Sequence, residues 1–154
     1  MSGMTSHGDL AAAGLQRLVS FYESISPESL QHLASCYAAD AYFKDPFNEV
    51  RGLPDITAIF AHMFAALHEP RFIVTQQLLQ GDRAALEWEF RFRFRRWNAD
   101  ASQCIRGASL LSFDAHGRVS QHRDYWDAAE ELYEKLPAIG VLMRWLRRNA
   151  SVKP

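Results

Sequence analysis

Three ionisable side chains stand in positions where their chemistry could be used. Asp45 lies in YFKDPFNEVRG, residues 42–52, between Tyr42-Phe43 and Pro46-Phe47. A carboxylate among aromatic neighbours is costly to bury unless it is paired or its ionisation shifts. Asp45 is therefore either a turn residue at the surface, capping the loop before Asn48 and Gly52, or a carboxylate held at the edge of an apolar pocket. In the second case it could move a proton. His122 and Asp124 are two residues apart in RVSQHRDYW. On a strand that spacing puts both on one face. Histidine as a residue type titrates near neutrality and suits acid–base work. Equally, the two could satisfy each other at a wall, as neighbours rather than a tight pair.

These residues need elements to hold them. Leu15, Leu18, Val19, Tyr22 and Ile25 recur at helical spacing, which predicts an amphipathic helix over about 9–25. Ser26 can cap a second helix, with Pro27 in its first position and Leu30, Leu33, Ala34 and Tyr37 on its inner face. ADAYFKDPF breaks that period and reads as a short strand, with Pro46 forcing Asp45 toward an extended conformation. Ile56, Ile59, Phe60, Met63, Phe64 and Leu67 predict a third helix starting near Pro54. Beyond it, RFIVTQQLLQ and RAALEWEFRFRFRRW flank Gly81-Asp82, a hairpin signal. QCIRGASLLSF and RVSQHRDYW flank the turn DAHG. Asp127 with Glu130 resembles a capping box opening a short helix. After Pro137, residues 138–149 predict a last amphipathic helix. Helices segregated from a four-strand antiparallel meander mean an α+β fold.

Side chains alternate across a strand, so a face can be carried from one strand to its partner. If DAHG is a four-residue loop, Ser109 stands opposite His122 and Gly107 opposite Asp124. If NADA is another, Phe90 stands opposite Ser109 and Phe92 opposite Gly107. One face then holds Trp88, Phe90, Phe92, Phe94, Ser109, Leu111, His122, Asp124 and Trp126. The other holds Glu87, Glu89, Arg91, Arg93, Arg95, Arg106, Gln121, Arg123 and Tyr125. An apolar concave face with a few converging polar groups has the character of a small-molecule pocket. The charged face is either solvated or a polar dimer interface.

The composition excludes several classes. The chain has 154 residues, 48% hydrophobic and 23% charged, with a net charge of −1. That suits one domain spanning 1–154, and no bulk field favours nucleic acid. The arginines and aromatics of the RFRFRR strand fall on opposite faces, which argues against a nucleic-acid surface. Cys36 and Cys104 form no redox or metal motif and read as free thiols in a reducing cytoplasm. His32, His62, His68 and His116 show no ligand spacing, so neither metal nor cofactor is expected. No apolar run reaches the roughly 20 residues of a membrane span. Residues 1–8 read as a loose tail rather than a signal peptide.

Two segments resemble a known family. YAADAYFKDPFNEVRG resembles the FADDA…EDPVG…RSG segment of ketosteroid isomerases, and LLSFDAHGRVSQHRDYWD resembles their strand–turn–strand ending in R-A-Y-W. With the order of elements, the similarity covers most of residues 10–135 and extends to the nuclear transport factor 2-like (NTF2-like) superfamily, including its SnoaL-like polyketide cyclases. The resemblance implies N-terminal helices on a strongly curved, mainly antiparallel sheet, wrapped into a cone around a pocket. It places Asp45 at the family's general base and Trp126 at a pocket tryptophan. Ser109 falls where the isomerases hold an aspartic acid protonated as an oxyanion donor. Their oxyanion tyrosine falls at Phe21 or Tyr22. His122 and Asp124 fall where they have apolar or small residues. A homodimer through the charged sheet face is also implied.

Two functions are compatible with these residues. One is a cofactor-independent enzyme — isomerase, cyclase or lyase — acting on a small apolar carbonyl or polyketide-like molecule. Asp45, His122 and Asp124 would then be catalytic, with Tyr22, Phe43, Trp88, Phe90, Ser109 and Trp126 binding substrate. The other is a non-catalytic domain of the same shape that binds a hydrophobic ligand or serves as a dimeric interaction module.

Overall fold

The structure, a computed structural model, describes residues 5–96, 99–133 and 140–142. The chain opens with helix α1, His7–Glu23. A capping box starts it: Ser6 Oγ accepts from the Asp9 amide, and Asp9 Oδ2 accepts from the Ser6 amide, both at 3.1 Å. Helix therefore replaces the expected tail from His7 onward. The second expected helix forms only as a 3₁₀ turn, Glu28–His32, followed by the four-residue α2, Leu33–Cys36. Tyr37, expected on that helix, is the first residue of strand β1, Tyr37–Lys44. A short strand not read from the sequence follows, β2, Glu49–Arg51. Helix α3 spans Leu53–Ala66, with Pro54 in its first turn.

The meander then runs as β3, Leu67–Gln80; β4, Arg83–Phe94; β5, Gln103–Phe113; and β6, Val119–Tyr125. Helix α4, Ala128–Glu131, is capped by Asp127, whose Oδ1 accepts from the amides of Ala129 and Glu130. The helix expected over 138–149 lies outside the described residues except for 140–142, which are helical.

The six strands form one curled sheet in the order β2-β1-β6-β5-β4-β3. All neighbours are antiparallel except β1 and β6, which run parallel. The last strand is thus inserted between the first strand and the rest of the meander. The register differs from the expected one by an even number at both hairpins. Phe90 pairs with Ile105 and Trp88 with Gly107, while Ser109 pairs with Asp124 and Leu111 with His122. The loop between β4 and β5 is longer than four residues, and a register shift sits beside Phe113 at the β5–β6 turn. Even slips leave every side chain on its predicted face.

Helices α1 and α3 cover the aromatic face. They bury Leu15, Leu18, Val19 and Tyr22 from α1 and Ile56 and Phe60 from α3. The helix-to-turn contact is close enough to forbid side chains. A Cβ on Gly14 of α1 would lie 2.0 Å from the Gly117 carbonyl oxygen at the β5–β6 turn, where φ is +75°. Arg17 fastens the same junction, donating to the Gly117 carbonyl at 3.2 Å and to the Ser35 carbonyl at 2.8 Å.

Candidate active site

The space between α1, α3 and the concave sheet face is a cavity of about 420 Å³. Its wall is aromatic because β4 alternates. Phe90, Phe92 and Phe94 line one face, Phe92 tilted against Phe90 and edge-on to Phe94, with centroids 5.0 and 5.2 Å apart. Phe72 of β3 stacks on Phe90 at 4.4 Å, and Tyr22 of α1 packs on Phe72 at 5.3 Å. Gly107, opposite Trp88, leaves room for the indole: a Cβ there would meet Trp88 ring carbon Cη2 at 2.5 Å.

The polar groups of the cone gather on one side and bond to one another in a single chain. Asp124 Oδ1 accepts from Ser109 Oγ at 2.5 Å and is 2.6 Å from His122 Nε2. Ser109 in turn accepts the Trp88 indole N–H at 2.8 Å, a diagonal neighbour across β4 and β5. On its other nitrogen, His122 meets the Tyr37 hydroxyl at 2.7 Å, with the Tyr22 hydroxyl at 3.3 Å. The Tyr22 and Tyr37 hydroxyls bond to each other. With Asp124 ionised, Nε2 must carry the proton that faces it. Nδ1 then accepts from Tyr37, and the Tyr37 oxygen accepts from Tyr22. Every hydrogen bond in the chain therefore points toward Asp124 Oδ1.

Burial fixes the donor state of both phenols. Desolvation holds Tyr22 and Tyr37 well above the usual tyrosine range, and Asp124 adds to the shift in each. They remain protonated throughout the physiological range. The other oxygen of Asp124, Oδ2, has no hydrogen-bond partner among the described residues. The Asp124 side chain is 17% exposed and lines the cavity. One carboxylate oxygen is thus held by two donors, and the other has none among the described residues.

Asp45 is used differently. Its Oδ1 accepts from the amides of Phe47 and Asn48, at 2.7 and 2.6 Å, and Asn48 Nδ2 lies 3.1 Å from both oxygens. The Asp45 amide also donates to the Asn48 carbonyl at 2.9 Å. This is an Asx turn closing the β1–β2 hairpin. Both alternatives open in the sequence are met, because Asp45 makes the turn and also lines the edge of the cavity.

Residues 18–122 match the SnoaL-like domain family. The chain belongs to that family. Solved structures share the SnoaL-like fold at low identity. A protein with a ketosteroid isomerase-like fold from Catenulispora acidiphila, in complex with trimethylamine, has a TM-score of 0.65 and 18% identity, over 77% of this chain and 88% of its own. An epoxide hydrolase from M. tuberculosis similar to LEH superimposes at 0.67 with 13% identity, over 97% and 100%. A candidate SnoaL-like polyketide cyclase from Jannaschia sp. CCS1 gives 0.68 with 12% identity, over 84% and 94%. No curated protein matches the sequence.

The SnoaL-like cone brings His122, Asp124, Ser109, Trp88 and Tyr22 into one network, with Phe43 packed on His122 at 4.8 Å. Phe90 and Trp126 line its wall. His122 and Asp124 are in direct hydrogen-bond contact, closer than the loose neighbours expected from i, i+2 spacing. The concave side of a curled strand tips such pairs together. Of the two residues open for the oxyanion tyrosine, Tyr22 lines the cone and joins the network, whereas Phe21 packs edge-on against Tyr22. Sequence reasoning missed Tyr37, which is fully buried, and the cavity residues His62 and Asn48. Exposed Ala39 and a register shift separate Tyr37 from the alternation of Ala41 and Phe43, so strand periodicity gave no signal for it.

Proposed function

We propose that the SnoaL-like cone transfers a proton on a small, largely apolar molecule with a carbonyl group, and that Asp124 is the base. The observation that carries this reading is the split carboxylate: Oδ1 is held by His122 and Ser109, while Oδ2 has no partner among the described residues and the side chain lines the cavity. A C–H bond beside the carbonyl breaks, its proton goes to Oδ2, and the electron pair moves onto the carbonyl oxygen. Tyr22, a protonated phenol on the wall, gives its O–H to that oxygen by releasing Tyr37, whose own O–H stays on His122. Returning the proton to a different carbon is isomerisation, and attack of the enolate on a second carbonyl within the molecule is cyclisation. The aromatic wall excludes water and so strengthens the hydrogen bond to the enolate. Ser109 has committed its only proton to Asp124, so it supports the base rather than the oxyanion. The Jannaschia protein is a candidate polyketide cyclase, which is consistent with the reading.

Hydrogen–deuterium exchange tests it. A panel of neutral cyclic ketones is incubated in D₂O with the protein, and deuterium uptake next to the carbonyl is followed by NMR. Asp124→Asn keeps an oxygen for His122 and Ser109 but has no base. Exchange should fall by about 100-fold or more. Equal exchange by the variant overturns the assignment of Asp124, and ligand binding without exchange by either protein favours the non-catalytic binding module.

A further inference from the structure

The mouth of the cone gives Asp45 a task that does not involve taking a proton. Outside the cone lies an open groove of about 660 Å³ between the β1–β2 hairpin and the start of α4. Asp45, Phe47, Asn48, Asp124 and Trp126 line both the groove and the cone. They are therefore the partition between the two. Phe47 is the bulk of it. Its ring packs edge-on against Trp126 at 5.5 Å and against Tyr133 at 6.2 Å, although the residue is 53% exposed. An exposed phenylalanine at a hairpin tip has little to hold it except its own backbone. That backbone is held by Asp45, whose Oδ1 takes the Phe47 and Asn48 amides.

From this we infer that Asp45 is a positioning residue: it seats Phe47 against Trp126, and the seated pair sets what passes between groove and cone. The inference rests on the cone being a ligand site, as proposed above, but not on which residue is the base. The turn occupies Oδ1 of Asp45 with two backbone amides, and Oδ2 shares only the Asn48 side-chain amide. The rings of Phe47 and Trp126 offer an incoming molecule uncharged, apolar surface. The chemistry of selection is thus ring contact at the mouth, separate from the hydrogen bonds at the Asp124 end.

The two roles of Asp45 separate on one substitution. Asp45→Asn keeps the oxygen that accepts the two amides, and asparagine is at home in an Asx turn, but it cannot act as a base. Asp45→Ala loses both. The protein is labelled with 5-fluorotryptophan, and the Trp126 resonance, assigned through Trp126→Phe, is followed by ¹⁹F NMR. Uptake and release of Nile red, a neutral probe, are followed by stopped flow. Asp45→Ala and Phe47→Ala should each shift the Trp126 signal and speed release by about 10-fold, with no further gain in the double variant. Asp45→Asn should match the parent on both readouts, within about 2-fold in rate. If Asp45→Asn behaves like Asp45→Ala, or if Asp45→Ala leaves Trp126 unmoved, the positioning role is wrong. A parent protein that takes up no Nile red counts against the cone as an apolar-ligand site, while the Trp126 signal still decides the role of Asp45.

Discussion

Tyr37 never reaches the cavity, yet it satisfies the nitrogen of His122 that Asp124 leaves without a proton. Its O–H is the donor that Nδ1 needs once the Nε2 proton faces Asp124. Tyr37→Phe would strand a buried nitrogen, with only Tyr22 at 3.3 Å to replace the lost donor. A loss of about 1–2 kcal/mol in urea unfolding is expected. The same phenols predict an alkaline limit. In the unfolded chain Tyr22 and Tyr37 ionise near the usual 10.0, whereas burial holds both higher in the fold. The folded state then keeps protons that the unfolded state releases. Stability should be intact below pH 10 and fall as pH rises beyond it, by up to about 1.4 kcal/mol per pH unit for each tyrosine. Urea midpoints between pH 8 and 11 check this, and Tyr22→Phe should flatten the slope. Much at this scale was legible: strand alternation alone put His122, Asp124, Ser109 and Trp88 on one face. The purpose of Asp45 was not, because an Asx turn and a pocket edge present the same residues in sequence.

The elements were read well where periodicity was long and poorly where it was short. The Trp88–Phe94 alternation fixes β4 unaided, and α1 and α3 follow from their apolar stripes. The Leu30–Tyr37 stretch misled because a 3₁₀ turn, one α-turn and the first residue of a strand together mimic helical spacing. Loop lengths set register, and the expected four-residue loops were too tight; even slips spared the faces and changed only the partners. The junction of α1 with the β5–β6 turn was invisible, since nothing local to Gly14 reports a carbonyl a hundred residues away. Gly14→Ala is expected to cost about 1–3 kcal/mol, lowering the melting temperature by about 2–4 °C per kcal/mol. Gly8→Ala in the same helix, where an added Cβ meets only Ser6 Oγ at 3.8 Å, is the control and should cost nothing. Calorimetry of the two variants separates close contact from helix propensity.

Across the whole molecule, the outer sheet face carries both charge and grease. Arg91 pairs with Glu89 at 2.7 Å and Arg93 with Glu69 at 2.9 Å, exposed pairs of small individual worth. Across the strands run Leu78, Ala85, Leu110 and Arg123 in one row, with Tyr125 in the next. Leu110 is 52% exposed and Leu78 60%. The homodimer expected from the sequence is proposed for this face, with Leu110 near its centre. Sedimentation should show association that weakens as salt rises, and Leu110→Glu should leave monomers at concentrations where the parent pairs. Monomers of the parent at every salt concentration would remove the proposal. Among the described residues no helix is long and apolar enough to cross a membrane.

The parallel seam between β1 and β6 also dictates an order of events at the ribosome. His122 and Asp124 arrive with the final strand, and the slot beside β1 stays empty until that strand emerges. Until then Tyr22 and Tyr37 are hydroxyls with no imidazole to meet, and one flank of the nascent sheet is unpaired. The seam makes assembly late, non-local and therefore slow, so the growing chain cannot complete the His122–Asp124 wall of the cone until its final strand is in place.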